Sequence, residues 1–177
     1  MDELDALLPH ILAAPKSGAR AEQLCLRPDY GARRFVDRIE VTTDRGIPGE
    51  RWLTAPWAKL PDGAPDPRIQ VSILGKRVVD AVWRDRINSP HPGDTIIADM
   101  DFSEANLPTG TRLTIGTAVL EVSDLFNDAC VKWKTRYGQD AKDWLVRPEY
   151  RRFRLRGILC RIVVDGVIRR GDEIRRL

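Results

Sequence analysis

Polar and apolar residues alternate most cleanly between residues 108 and 134, PTGTRLTIGTAVLEVSDLFNDACVKWK. The alternation predicts a hairpin with arms at 112–114 and 118–122, joined by Ile115, Gly116 and Thr117, because a half-buried strand turns every second side chain to the core. Near the N-terminus the period changes. Leu4, Leu7, Leu8, Ile11 and Leu12 form one stripe, which predicts a helix over 2–13, with Asp2, Glu3 and Asp5 in the first turn where the helix dipole favours anions. Strands are expected at 21–26 and 35–43, separated by the turn residues 27–31. Residues 57–67, rich in Pro, Gly and Asp, read as a surface loop. Ile69, Val71 and Ile73 alternate with Gln70 and Ser72 in a strand at 68–74. A helix follows at 76–85, with Val78, Val79, Val82 and Trp83 on one side.

Residues 88–93, NSPHPG, form a second loop, in which His91 between two prolines is expected to be exposed. A strand starts at 94–97. Residues 131–145 read as two short helical turns broken at Gly138. The C-terminal stretch 157–164 is β-branched, and Asp165-Gly166 is a two-residue hairpin signal. It predicts that 167–170 folds back on 157–164, and that a second turn at Gly171-Asp172 returns 173–175. The elements are mostly strands, so the fold class is mainly β. Residues 1–19 form a helical lead-in and 20–177 the main domain.

Composition narrows the choices. The chain has 177 residues, 42% hydrophobic and 31% charged, as expected of one globular domain that needs no staples. A net charge of +3 does not by itself call for nucleic acid. Residues 151–177 hold nine arginines against three acids. Arginine suits bidentate phosphate or carboxylate binding, and it also serves as a solvent-facing guard on sheet edges. No apolar run approaches the roughly 20 residues that span a bilayer. With no secretory pattern at the N-terminus, a cytoplasmic protein without membrane contact is expected. Three scattered cysteines, Cys25, Cys130 and Cys160, form no CxxC pair, and His10 and His91 are too few for a histidine-rich metal site.

Cys130 is the chemically suggestive one. It follows the polar turn 124–128, with Lys132 and Lys134 close behind, and cations beside a thiol favour the thiolate, which is the nucleophile and the soft metal ligand. A free cysteine is also a good small core residue. Cys160 lies within a strand and reads as core. The glycines of Gly46-Ile47-Pro48-Gly49 make a tight loop whose backbone amides can face an anion. Arg51 then adds a fork of donors, and Trp52 adds a flat face or a core anchor.

Three stretches taken in order resemble one family: GIPGERW at 46–52, the segment from PGDTI to TAVLEVS within 92–123 with a cysteine just after it, and RGILCRIVVDGVIRRGDEI at 156–174. Together they resemble the MOSC domain, named for the C-terminal part of molybdenum-cofactor sulfurases, in a stand-alone member. The resemblance implies a MOSC-type β-barrel, closed or nearly so, with short peripheral α-helices. It also implies a tie to the molybdenum cofactor (molybdopterin). The motif cysteine maps onto Cys130, the glycine loop with its acid–arginine pair onto Gly49, Glu50 and Arg51, and the later Gly-Asp onto Gly93 and Asp94. Glu50 stands where aspartate is usual, Trp52 where histidine is frequent, Thr95 where asparagine is usual, and Ala129 where proline is frequent.

On this resemblance Cys130 holds either the metal or a transferable sulfur, since both favour a soft thiolate. Arg51, Lys132, Lys134 and Arg136 are the expected phosphate contacts, and Trp52 or Trp133 the surface that stacks on the pterin. The metal version implies an oxidoreductase acting reductively on N-hydroxylated compounds, with an electron-transfer protein as partner. The sulfur-carrier version implies a cysteine desulfurase. A competing reading is a non-catalytic binding module for a phosphorylated ligand or nucleic acid, using the arginine-rich C-terminal strands.

Overall fold

The structure, a computed structural model, describes residues 2–177, the Asp2 side chain excepted. Eight strands form one curled sheet, in the order β10 (Ile174–Arg176), β6 (Arg112–Ile115), β7 (Ala118–Val122), β8 (Ile158–Val164), β4 (Val71–Gly75), β5 (Ile96–Ala98), β1 (Gln23–Leu26) and β2 (Arg34–Val36). All neighbours are antiparallel except β4 and β5, which run parallel with α2 (Lys76–Val82) in the crossover between them. The chain just before β1 meets the chain just before β10. Ala21 donates to the Asp172 carbonyl at 2.8 Å, Ile174 donates to that of Ala19 at 2.8 Å, and Arg20 bridges Glu173. The sheet therefore curls into a half-barrel in which the lead-in to β1, next to the β2 edge, meets the lead-in to β10 at the other edge.

Period-two burial fixes the two faces. Val71, Ile73, Ile96, Leu113, Ile115, Leu120, Ile158 and Cys160 point inward to one core. Leu74 and Ile97 point outward to a second cluster, where α1 (Asp2–Leu12), α2, α3 (Val131–Tyr137) and α4 (Gln139–Leu145) pack through Leu4, Val78, Trp133, Trp144 and Leu145. The short helices thus cover one outer face of the sheet. The helix break expected at Gly138 is present, with the glycine at φ 91° ending α3 and opening α4.

Three expectations change. The strand expected over 35–43 splits at Asp37, so that β2 pairs with β1, while β3 (Arg38–Val41) pairs with β9 (Gly166–Arg169) in a separate two-stranded sheet. The strand expected from 68 opens as a 3-10 turn at Pro67–Ile69, because the buried Asp66 carboxylate caps the Arg68 backbone N–H at 2.9 Å. Asp165-Gly166 makes no hairpin. β9 leaves β8 for β3, and β10 pairs with β6 rather than with β9. Gly166 passes so close over the β6–β7 turn that an added Cβ would stand 2.5 Å from the Ala118 nitrogen. The glycine serves a strand crossing, not a turn.

Candidate functional site

The loop that leaves β7 ends at Cys130, the residue before α3. Side chains fix this loop. Ser123 Oγ accepts from Leu125 N–H at 3.0 Å, the buried Asn127 amide donates to the Arg156 carbonyl at 3.0 Å, and Asp128 Oδ1 accepts from Ala129 N–H at 2.8 Å. Trp133, buried one turn into α3, anchors the other side. Cys130 is left exposed, whereas Cys25 and Cys160 are buried. Burial pushes the Cys25 thiol up to about 11 and the Cys160 thiol up to about 12.

Cys130 opens onto a cleft of about 430 Å³, a volume suited to a small organic ligand. Its walls come from the β1–β2 loop, the segment after Gly49, Ser72 of β4, residues 92–94, residues 126–136, and Arg156 with Leu159. Six cations line it: Arg27, Arg33, Arg51, Lys132, Arg136 and Arg156. Three carboxylates, Asp29, Asp94 and Asp128, accompany them.

Two of the cations are neutralised. Glu50, 2% exposed, stands behind the cleft and holds Arg27 at 3.0 Å. Burial works against the Arg27 charge, and Glu50 more than offsets it. Arg27 also reaches Ser72 Oγ at 3.3 Å and Thr95 Oγ1 at 3.1 Å. Asp94, 1% exposed, holds Arg156 at 2.8 Å, and the Arg156 guanidinium lies 4.3 Å over the Trp133 ring. The other four cations have no carboxylate partner among the described residues. Arg33 donates only to the carbonyls of Gly31 at 2.8 Å and Pro92 at 3.4 Å. Burial first, and then the charge of Arg136, lower its affinity for its proton. Arg51 and Lys132 both contact the Tyr30 ring, at 4.5 Å and 5.1 Å.

Among the described residues, four buried side-chain polar atoms have no hydrogen-bond partner: Arg33 Nε, Arg51 Nη1, Asp94 Oδ2 and Arg156 Nε. All four residues line this cleft. A buried polar group left unpaired is destabilising by about 1–3 kcal/mol, and among the described residues the buried side chains that bear this cost all meet in this one place. Three of the four are N–H donors, which an anion with several acceptor oxygens would answer, whereas Asp94 Oδ2 calls for a donor, and all lie in the cleft of an exposed thiol. Among the described residues, no group of three or more His, Cys, Asp or Glu side chains could hold a bare metal ion.

Residues 70–175 match the family model of the MOSC domain, more than half of the chain. The chain belongs to the MOSC domain family. Comparison with curated proteins gives no match. Among solved structures, the YuaD protein of Bacillus subtilis aligns with a TM-score of 0.55 and 18% identity, over 88% of this chain and 93% of that one. YiiM of Geobacillus stearothermophilus aligns at 0.58 and 13%, over 90% and 75%. YiiM of Escherichia coli aligns at 0.57 and 14%, over 89% and 69%. At these identities the structures bear on the MOSC fold alone.

Of the residues singled out in the sequence, Cys130, Arg51, Asp94, Lys132 and Arg136 meet at the MOSC cleft, and Gly93 lines it too. Gly93 has φ +82°, and an added Cβ would come within 2.7 Å of Arg33 Nε, so the glycine makes room for that guanidinium. Gly49, Glu50, Trp52 and Lys134 do not line the cleft. Glu50 is spent on Arg27. Trp52 is buried, donates from Nε1 to the Asp66 carbonyl at 2.9 Å, and packs on Gly46, where an added Cβ would meet the indole at 2.7 Å. Its flat face belongs to the core. Trp133 lines the cleft, but Arg156 covers its ring.

His91 is buried, not exposed. Its ring lies edge-on to Phe35 at 5.1 Å and Trp83 at 4.9 Å, and its Nδ1 accepts from Gly93 N–H at 3.0 Å. Sequence reasoning missed Arg27, the first residue of a segment read only as a turn, and Arg33 just beyond it. It missed Trp57 in a loop read as surface, and it left Arg156 among nine arginines. The other arginines of that group scatter. Arg161 pairs with Glu121, Arg170 with Asp37, and Arg175 with Glu173. No helix among the described residues is long and apolar enough to cross a membrane.

Proposed function

We propose that this MOSC protein binds the molybdenum cofactor in the cleft, with Cys130 as the protein's sulfur contact to it. One observation carries the reading: among the described residues, the exposed Cys130 thiol shares its cleft with all four unpartnered buried side-chain polar atoms and with four cations that have no carboxylate partner. The residues fit the group. Arg33, Arg51, Lys132 and Arg136 would hold the phosphate through charge-assisted hydrogen bonds. Asp94 keeps Arg156 against Trp133 and so shapes the floor. Cys130 would offer either a thiolate to the metal or a carrier sulfur. When bound, the cofactor supplies redox chemistry at molybdenum.

The metal version makes the protein an oxidoreductase for N-hydroxylated compounds and needs an electron-transfer protein. The sulfur-carrier version needs a cysteine desulfurase. The competing module for phosphorylated ligands or nucleic acid has less support, since the C-terminal arginines it would use are dispersed and several are paired.

The test is metal analysis of protein purified from a host that makes the cofactor, wild type beside Cys130→Ala. The expected result is near-stoichiometric molybdenum in the wild type and its loss in the variant. Equal molybdenum in both would remove Cys130 from the role. No molybdenum in either, together with no persulfide on Cys130 by mass spectrometry, would overturn the proposal.

A further inference from the structure

Trp57 is 64% exposed and lines the cleft. It differs from the other tryptophans. The indole N–H groups of Trp52, Trp83 and Trp144 donate to Asp66, Ser89 and Asp5, and the Trp133 ring is covered by Arg156. Trp57 has neither a hydrogen bond nor a ring partner among the described residues. Its loop is nonetheless tied down. Leu60 N–H bonds the Ala64 carbonyl at 2.8 Å, Asp66 N–H bonds that of Ala58 at 3.2 Å, and Lys59 bridges Pro65. A large indole held in water on an internally bonded loop, at the rim of a ligand-sized cleft, presents a stacking face. Arg33 and Arg51 share with it a position outside the matched residues 70–175.

We propose that Trp57 is a specificity-determining residue: its indole stacks on a flat heteroaromatic ring whose phosphate is taken by the unneutralised cations Arg33, Arg51, Lys132 and Arg136. The inference rests on the anion-binding reading of the cleft and adds the class of molecule. A nucleotide has this chemistry, and so does a phosphorylated pterin. Base–aromatic stacking makes a ring-bearing phosphate bind about tenfold tighter than a phosphate with a sugar alone.

The experiment is titration calorimetry of the metal-free protein with adenosine monophosphate, ribose phosphate and adenosine, in the wild type, Trp57→Ala and Trp57→Phe. Adenosine monophosphate should bind about tenfold tighter than ribose phosphate in the wild type; Trp57→Ala should erase the difference and Trp57→Phe should keep most of it. Equal binding of the two phosphates in the wild type, or an undiminished preference in Trp57→Ala, overturns the stacking role and leaves the anion cleft standing. Binding of none of the probes overturns both. Molybdenum analysis of Trp57→Ala assigns the ring. Metal retained beside a lost preference places the indole against a second molecule, and metal lost with it places the indole against the cofactor's own pterin. Either result supports stacking.

Discussion

Two prolines around His91 suggest a loop in water, yet the ring fills a slot between Phe35 and Trp83. Burial lowers its pKa to about 4; Asp94 opposes the shift, and Arg33 and Arg86 reinforce it. The folded protein therefore keeps this imidazole neutral at pH values where the unfolded chain would already protonate it. Between the ordinary value of 6.5 and about 4 the unfolded state binds the extra proton, so stability rises with pH across that window and is lost as pH falls through it. The loss by pH ~4.5 should be about 2–3 kcal/mol. Denaturant titrations at neutral pH and at pH ~4.5 should show His91→Asn losing less on acidification than the wild type, and identical losses would refute the assignment. The same residue shows where sequence reading stops. Which residues crowd a side chain depends on tertiary packing, here Phe35 from the distant strand β2 and Trp83 just after α2. Glu50 and Trp52 teach the same lesson. Their spacing in GERW was legible, but the direction each points was not, because Arg27 and Gly46 claim them.

At the scale of elements, the strongly periodic segments were readable. The β6–β7 hairpin, α1, α2 and the break at Gly138 all follow from local patterns that the tertiary structure does not override. The pairing of β9 was not. Asp-Gly after a β-branched run is a hairpin signal because glycine accepts the turn geometry, but here the missing side chain lets one strand cross another. Thr117 N–H bonds the Val167 carbonyl at 3.1 Å, and Val167 N–H returns a bond to Thr117 Oγ1 at 2.8 Å. Gly166→Ala would drive a methyl group against the Ala118 backbone, which cannot rotate away. A cost of about 1–3 kcal/mol is expected, as for other overpacked sites. The midpoint of urea unfolding should fall accordingly. An unchanged midpoint would mean that the crossing is looser than described. Gly171→Ala is the control for space, since nothing lies within 4 Å of an added Cβ there, although its φ of +91° adds backbone strain of its own.

For the molecule as a whole, the cleft joins parts that the chain keeps far apart. Arg33, Arg51, Asp94, Arg136 and Arg156 come from five separate segments, and folding brings them together with only some of their charges matched. Like charges held close destabilise a compact state, so the free protein retains this strain in the site. Arg136 makes the consequence measurable. Its charge lowers the proton affinity of Arg33, an effect that Asp94 opposes more weakly, and neither arginine has an ion-pair carboxylate among the described residues. Arg136→Gln should therefore make the free protein slightly more stable, by a few tenths to about 1 kcal/mol, the range of partly exposed charge pairs. In the wild type, pyrophosphate at ~100 times its dissociation constant should add about 2.7 kcal/mol by mass action, with a higher melting temperature. The variant should lose most of that gain, and chloride at equal ionic strength should not reproduce it. A variant that is less stable without ligand would show that Arg136 holds the fold together. A variant that gains as much from pyrophosphate as the wild type would show that the anion sits elsewhere. The two signs must come out opposite, stability up and ligand response down, for the cleft to be a site whose charge is arranged for its ligand.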